Sequence, residues 1–451
     1  MAKPVMISVS GIRGIVGQGL TPELIVHFAA AAGCLYGPGS VFVGRDSRTT
    51  GEMVKAAVFS GLMSVGCHPV DLGVCPTPTV QMAVQNSDAV GGIVITASHN
   101  PVEWNALKLL NAEGLFLDED EGFRVKRIVD ENQFRYVPWE KVGRTMQYDG
   151  AIHDHLEAVL RIPYVQAERI RERKFRVAFD CVNGAGGTIL PKLLEEFGCE
   201  TFPLNEVPNG RFAHTPEPLP ENLSDLCNAV RQKRADIGFA VDPDVDRLAV
   251  VSEEGEPIGE EYTLTVCARF ILSKKKGKVV TNISTTRAVE DVALQAGAEL
   301  IRTPVGEIHV AKKMKEVGAV IGGEGNGGVL LPEVHLGRDA PVAIALILQY
   351  LTEYGGTVSE LKKRLPQYAM TKRKIDIGDS DPDGILKKIE SDHRTETLNL
   401  IDGVKIDRAE SWVHIRKSNT EPIIRIIAEA KTKKAADSLC ESFINKIREA
   451  L

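Results

Sequence analysis

The sequence predicts an α/β protein of several domains, in which three successive α/β units are followed by a small α+β domain. Three observations predict it. At 451 residues the chain exceeds what one hydrophobic core accommodates, and its length suggests about three domains. Up to Gly328, short apolar runs ending in polar loops alternate with segments of helical spacing, the pattern of a parallel sheet flanked by helices. Beyond residue 368 the apolar runs follow one another closely, so much of that last sheet is expected to be antiparallel.

In chain order, VFVGRDSR (41–48) begins as an apolar strand and ends in a polar turn. Residues 51–66 have helical spacing, HPVDLGVCPTPT reads as strand and loop, and GGIVITASHNP (91–101) is again a strand that runs into a polar loop. KFRVAFDCVNGAGG (174–187) reads as strand and Gly-rich turn, with a helix through Leu190–Phe197. ADIGFAVDPDVDR (235–247) is a strand followed by an acidic loop. After Gly255 come a helix near 260–273, KVVTNIST as a strand, a helix from Arg287, and VGAVIGGEGNGG as strand and loop. KRKIDIG, a helix near 382–391, TLNLIDGVKID, SWVHIRKS, PIIRIIAEA and a helix from Lys433 form the last unit. The expected domains are 1–148, 149–250, 251–368 and 369–451.

Bulk composition narrows the function classes. The chain is 43% hydrophobic and 25% charged, as an ordinary globular protein is. No apolar stretch of about 18 residues suggests a membrane span, and the N-terminus lacks a signal-like apolar segment, so a cytoplasmic location is expected. A net charge of −7 argues against a general affinity for nucleic acid, although 54 Lys and Arg can still concentrate in one cleft. None of the eight cysteines lies in a CxxC pair, so reduced, mostly buried thiols are expected.

Four polar loops are hard to explain as packing. In TASHNP (96–101), Ser98 follows a buried strand, with His99 and Lys108 nearby. A serine nucleophile needs a base, a metal or a pre-charged form; the alternative is a strand-end turn capped by Ser98. DPDVDR (242–247) carries Asp242, Asp244 and Asp246 at alternate positions, which share one side if the segment is extended. Such carboxylates repel unless a cation neutralises them, and an oxygen-only set suits Mg²⁺; the alternative is a solvated acidic turn. An EF-hand fits poorly, because Arg247 and Glu253 stand where its Gly and bidentate Glu belong. In GGEGNGG (322–328), Glu324 and Asn326 among five glycines suit close approach to a polyhydroxyl ligand, or a plain flexible turn. RKSNTEPIIR (416–425) offers Arg416, Ser418, Asn419, Thr420 and Arg425 to a phosphate dianion, or forms a charged hairpin.

Taken together and in this order, the loops resemble those of the α-D-phosphohexomutase superfamily, which includes phosphoglucomutases, phosphomannomutases and phosphoglucosamine mutases. The resemblance covers essentially the whole chain. SGIRGIVG (10–17) resembles the opening segment, with Arg13 at the family's active-site arginine. TASHNPVEWNALK matches the phosphoserine loop, DPDVDR the metal loop, GEGNGG the sugar loop, and RKSNTEPIIR the distal phosphate site. TPVGEIHV (303–310), which contains Thr303, Gly306 and His309, matches a segment that helps recognise the sugar. The resemblance implies three related α/β/α domains plus a small C-terminal α+β domain around one central cleft. It also implies phosphoryl exchange between O1 and O6 of a hexose phosphate, through phosphorylated Ser98 and a hexose 1,6-bisphosphate that serves as intermediate and activator. By the same resemblance, Mg²⁺ would lie among Ser98, Asp242, Asp244 and Asp246. Arg13, His99, Lys108 and Arg247 would surround the transferred group, and Lys108 or His309 would handle the hydroxyl proton. A monomer or homodimer acting on a small hexose phosphate is expected, without nucleic acid or membrane.

The chain departs from the family pattern in places. Pro243 replaces a frequent Gly, and Trp104 and Ala106 replace Tyr and Gly. GEGNGG stands where many members read GEMSGH or GEQSGH, and it resembles an archaeal-like subgroup. That subgroup implies glucosamine phosphate as substrate, with mannose or glucose phosphate as the alternative. Outside the class, a Mg²⁺-dependent sugar phosphatase and a non-catalytic sugar-phosphate binder are the competing readings.

Overall fold

A computed structural model describes residues 5–8, 11–378, 380–418 and 422–449. The expected class holds: three α/β units, each with its own sheet, precede a five-stranded antiparallel sheet covered by helices. The first sheet has seven strands, in the order Met6–Ser8, Gly11–Ile15, Trp104–Leu110, Gly91–Ile95, Ser40–Arg45, His68–Val74 and Met146–Gln147. The second runs Leu248–Ser252, Ile237–Val241, Arg176–Asp180, Glu200–Leu204, and the third Leu300–Thr303, Val279–Asn282, Ile321–Glu324, Gly328–Leu330.

The expectation of parallel sheets needs one correction. In each of the three units a central strand enters a polar loop and the chain returns antiparallel beside it. Gly91–Ile95 pairs this way with Trp104–Leu110, Ile237–Val241 with Leu248–Ser252, and Ile321–Glu324 with Gly328–Leu330. The serine, acidic and glycine-rich loops therefore occupy one topological position, the tip of a hairpin at the end of a buried strand. A hairpin fixes its tip through two hydrogen-bonded strands, whereas a strand-to-helix crossover fixes it through one. In the last unit, TLNLIDGVKID divides into Thr397–Asn399 and Val404–Asp407, because Gly403 at φ 75° turns the chain between them.

Packing sets the units against one another. One continuous apolar core runs through the second and third units, from Phe175 and Phe179 to Leu346 and Leu361. Its centre is the helix Ala340–Tyr354, buried on every side along most of its length and therefore apolar all round. Asp339 caps that helix by accepting a hydrogen bond from Val342 N at 3.0 Å. The other Asp339 carboxylate oxygen meets His155 at 2.8 Å and His335 at 2.9 Å, and His155 in turn meets Thr79 of the first unit at 2.8 Å. The units are thus tied by a buried polar chain. No helix among the described residues is long and apolar enough to cross a membrane.

Candidate active site

The strand Gly91–Ile95 is wholly buried, and the loop that follows is built around Arg48, which is also buried. The Arg48 guanidinium donates to the carbonyl oxygens of Ser98, Asn100 (2.7 Å), Pro101 and Trp104 (3.0 Å), while its Nε donates to Asp46 at 3.0 Å. Asp46 also accepts from Thr96 Oγ1 at 2.6 Å, and Thr96 Oγ1 accepts from Ser98 N at 2.9 Å. With the inward carbonyls satisfied, Ser98 is held at φ 49°, a left-handed conformation that costs a non-glycine residue about 1–3 kcal/mol. The strained turn aims Ser98 Oγ at the acidic loop. It donates to Asp242 Oδ2 at 2.8 Å and lies 3.2 Å from His99 Nδ1.

The acidic loop is not the extended segment that alternate spacing suggested. It is a tight turn in which Val245 N donates to Asp242 O at 3.0 Å and Val245 adopts φ 63°. A β-branched residue in that region is a genuine outlier, and the turn that imposes it makes the carboxylates converge. Asp242, Asp244 and Asp246 are fully buried, and one oxygen from each lies within 4.8 Å of the others.

Burial pushes all three carboxyls up. Asp242, with Asp246 and Asp244 beside it, ends well above the usual range. Lys108, 2.6 Å from Asp244, brings that residue below the range, and Arg338, 2.6 Å from Asp246, does the same there. Thr77, from the first unit, donates to Asp244 at 2.6 Å. Asp244 Oδ1 and Asp246 Oδ1 are buried and accept no hydrogen bond. Two buried oxygens without donors, in a cluster of three mutually repelling carboxylates beside a serine hydroxyl, fit a small, hard divalent cation such as Mg²⁺.

Above this corner lies a cavity of about 480 Å³. It gathers Arg13, Ser98, His99, Lys108, Arg247, Gly306, Glu324, Asn326, Arg416 and Arg425. Arg13 donates to Asn100 Oδ1 at 2.7 Å, and Arg247 lies 3.3 Å from Glu217. Burial, with Arg247 and Arg13 nearby, holds His99 well below the usual histidine range, so its ring is neutral near pH 7. Glu324 accepts from Asn282 Nδ2 at 2.7 Å and Gly306 N at 3.0 Å on one oxygen, and from Arg338 at 2.8 Å on the other. Arg416 and Arg425 are directly opposed on neighbouring antiparallel strands. Two like charges so placed repel each other, and Asp402, 3.2 Å from Arg416, offsets part of that repulsion.

Some expected residues stand apart from the cavity. Thr303 is buried at a strand end and donates to Pro304 O at 2.9 Å, and neither it nor the half-buried His309 lines the wall. Ser418 donates its N–H to Ile423 O at 3.0 Å and is not part of the lining. Asn419 and Thr420 lie outside the described residues.

Several side chains at the site escaped the sequence reading. Arg48 and Thr77 sit just past strands of the first unit, in the polar stretches GRDSR and CPTPT, where strand-end loops carry ligand groups. Glu307 lies inside the expected TPVGEIHV segment. Burial raises its carboxyl to about 7. Glu217, Asn282, Arg338 and Lys372 had no local signal, because each reaches the cavity from a distant stretch of chain.

The four successive family models that match describe the α/β/α domains I, II and III and the C-terminal domain of phosphoglucomutase/phosphomannomutase, over residues 6–136, 153–255, 260–368 and 372–446. The chain belongs to the phosphoglucomutase/phosphomannomutase family. The phosphohexomutase class expected from the order of its loops therefore stands. This phosphohexomutase is 36% identical to a Methanopyrus kandleri protein named "Probable phosphoglucosamine mutase", over 98% of this chain and 97% of that one. It is 38% identical to a Thermococcus kodakarensis phosphoglucomutase/phosphomannomutase, over 98% of each. Among solved structures, a phosphoglucomutase/phosphomannomutase family protein from Burkholderia thailandensis superposes with a TM-score of 0.86 at 26% identity, covering 99% of this chain and 98% of that one.

Proposed function

We propose that this phosphohexomutase interconverts hexosamine 6-phosphate and 1-phosphate, with Ser98 as the phosphoryl carrier, and that glucosamine phosphate is its preferred substrate. The observation that carries the reading is the 2.8 Å contact between Ser98 Oγ and Asp242 in a cavity that also holds the Arg416–Arg425 pair. A bisphosphate turning over in one cleft needs two anion sites, one that reacts and one that only holds. The relatives named for glucosamine and for glucose or mannose are of similar identity, so the sugar rests on the GEGNGG loop and on the name of the Methanopyrus relative.

Each residue then has a task that its position supports. Ser98 Oγ carries the phosphoryl group and gives it to the free O1 or O6 of the sugar phosphate. Arg13, Lys108 and Arg247 supply positive charge where negative charge develops on the moving group. Of the two candidates for the hydroxyl proton, Lys108 lines the cavity at the reacting corner but is held protonated by Asp244 and Asp246, and His309 does not line it. Neutral His99 lies 3.2 Å from Ser98 Oγ through Nδ1 and adds no charge there. Asp242, Asp244 and Asp246 would hold Mg²⁺, which when bound offsets charge on the phosphoryl oxygens. Arg416 and Arg425 hold the phosphate that is not reacting, and Glu324 and Asn326 read sugar hydroxyls in either orientation.

The test is a coupled assay of the purified protein on glucosamine, glucose and mannose 6-phosphates with a trace of the matching 1,6-bisphosphate, counting isomer and free phosphate separately. The highest kcat/KM is expected for glucosamine phosphate, with isomer formed far in excess of phosphate. Stoichiometric phosphate release would mean a phosphatase, and tight binding without turnover of any sugar would mean a non-catalytic binder.

A further inference from the structure

We propose that Arg338 is a positioning residue that locks the sugar loop to the metal loop, and that residue 328 is glycine to leave room for it. The inference rests on reading the cavity as a hexose-phosphate site.

Arg338 is almost fully buried. Its single guanidinium meets three carboxylates from three separate stretches of chain: Asp246 at 2.6 Å, Glu324 at 2.8 Å and Glu307 at 3.0 Å. The planar guanidinium holds the Asp246 and Glu324 hydrogen bonds and the Glu307 ion pair in fixed directions, whereas a lysine presents one compact charge with rotatable donors. The contacts also leave defined atoms for other work. Asp246 gives Oδ2 to Arg338 and keeps Oδ1 free of hydrogen bonds, so Arg338 selects the oxygen left for a cation. Glu324 gives Oε2 to Arg338, with Oε1 taken by Asn282 and Gly306 N. A sugar hydroxyl that donates to Glu324 therefore shares that carboxylate with the residue steering Asp246.

Gly328 supports the same assignment independently. A Cβ there would lie 2.2 Å from Arg338 Cδ and 2.8 Å from Arg338 Cγ. The backbone of Gly328 is not left-handed, so the exclusion is purely steric and Arg338 is its cause. A GEMSGH-type loop, with histidine at this position, has no space for the arginine in this pose.

The experiment compares Arg338→Lys, Arg338→Ala, Gly328→Ala and the Gly328→Ala/Arg338→Ala pair. Mg²⁺ affinity is read by calorimetric titration, kcat and KM on glucosamine 6-phosphate, and Tm for each. Arg338→Lys and Gly328→Ala are each expected to lose about tenfold in Mg²⁺ affinity and in kcat, as supports behind metal ligands do. Gly328→Ala is expected to cost nothing further once Arg338 is alanine, because the clash is gone. Lower Tm with unchanged Mg²⁺ affinity, kcat and KM would overturn the proposal, and so would effects that multiply in the double variant. If Arg338→Ala fails to fold, the lysine and Gly328 variants decide. No turnover of glucosamine, glucose or mannose 6-phosphate by the wild type would sink the hexose-phosphate reading, and the Mg²⁺ isotherms would still judge Arg338.

Discussion

The Ser98 corner and the Arg416–Arg425 rung, which we propose as the two phosphate sites, have opposite constructions. At the corner, Ser98 sits on a strained turn whose carbonyls are gathered by buried Arg48, and it faces three buried carboxylates. At the rung, Arg416 and Arg425 stand on an antiparallel pair, with Arg416 partly exposed and 3.2 Å from Asp402. Phosphoryl transfer needs donor and acceptor within a few tenths of an ångström, so the corner is over-determined. Holding an unreactive phosphate needs only charge and two forks, so the rung is open and simple. Damage to the corner is accordingly expected in kcat, and damage to the rung in KM.

The sharpest way to break this comparison is Arg48→Met. It takes one hydrogen bond from each of four loop carbonyls and removes the guanidinium beside the buried Asp46 carboxylate, which keeps Thr96 Oγ1 and the backbone N–H of residue 48. A loss of about 100-fold or more in kcat is expected, with a lower Tm. An Arg48→Met enzyme with wild-type kcat would show that the Ser98 loop holds itself. Next in size, Arg416→Ala and Arg425→Ala are each expected to raise KM for the sugar phosphate about 10- to 100-fold, since each removes a charged hydrogen-bonding group worth about 1.5–3 kcal/mol. Larger losses in kcat than in KM would place the rung inside the chemistry and erase the distinction.

A smaller effect concerns the seam that carries the rung. His414 in the last unit meets Ser284 Oγ of the third unit at 2.8 Å through Nδ1, and its Nε2–H donates to Asp402 O. Burial lowers its pKa from the usual 6.5 to about 4. The folded state therefore prefers the neutral ring. Stability is intact above pH 6.5 and is lost as pH falls through 4, by on the order of 3 kcal/mol. Urea unfolding at pH 7.5 and 4.5 should show His414→Gln closing its gap to the wild type at the lower pH. A gap that stays constant would remove His414 from the seam's pH response. The smallest effect is expected at Pro243, where glycine should cost about 0.4–1 kcal/mol through the unfolded chain and leave kcat nearly unchanged.

Local features of the sequence made much of this legible. Strands that end in TASHNP, DPDVDR and GGEGNGG announced both the α/β units and the places where polar groups gather, because buried runs and polar loop tips are written in consecutive residues. What stayed hidden depends on the third dimension. The convergence of Asp242, Asp244 and Asp246 comes from a turn through left-handed Val245, which alternate spacing cannot distinguish from a strand. The antiparallel return of Trp104–Leu110 is not among the expected strands, because NALK is polar at both ends. Arg48 and Arg338 are not singled out, since nothing near them in sequence reveals that one gathers carbonyls and the other carboxylates.

The most direct measurement is intact-mass analysis with peptide mapping after incubation with glucose 1,6-bisphosphate and Mg²⁺, followed by addition of a hexose 6-phosphate. The account predicts one phosphoryl group on the wild type, located on Ser98 and discharged by the sugar, and none on Ser98→Ala, which should also lack interconversion. A phosphoryl group on another residue, or full interconversion by Ser98→Ala, would contradict it.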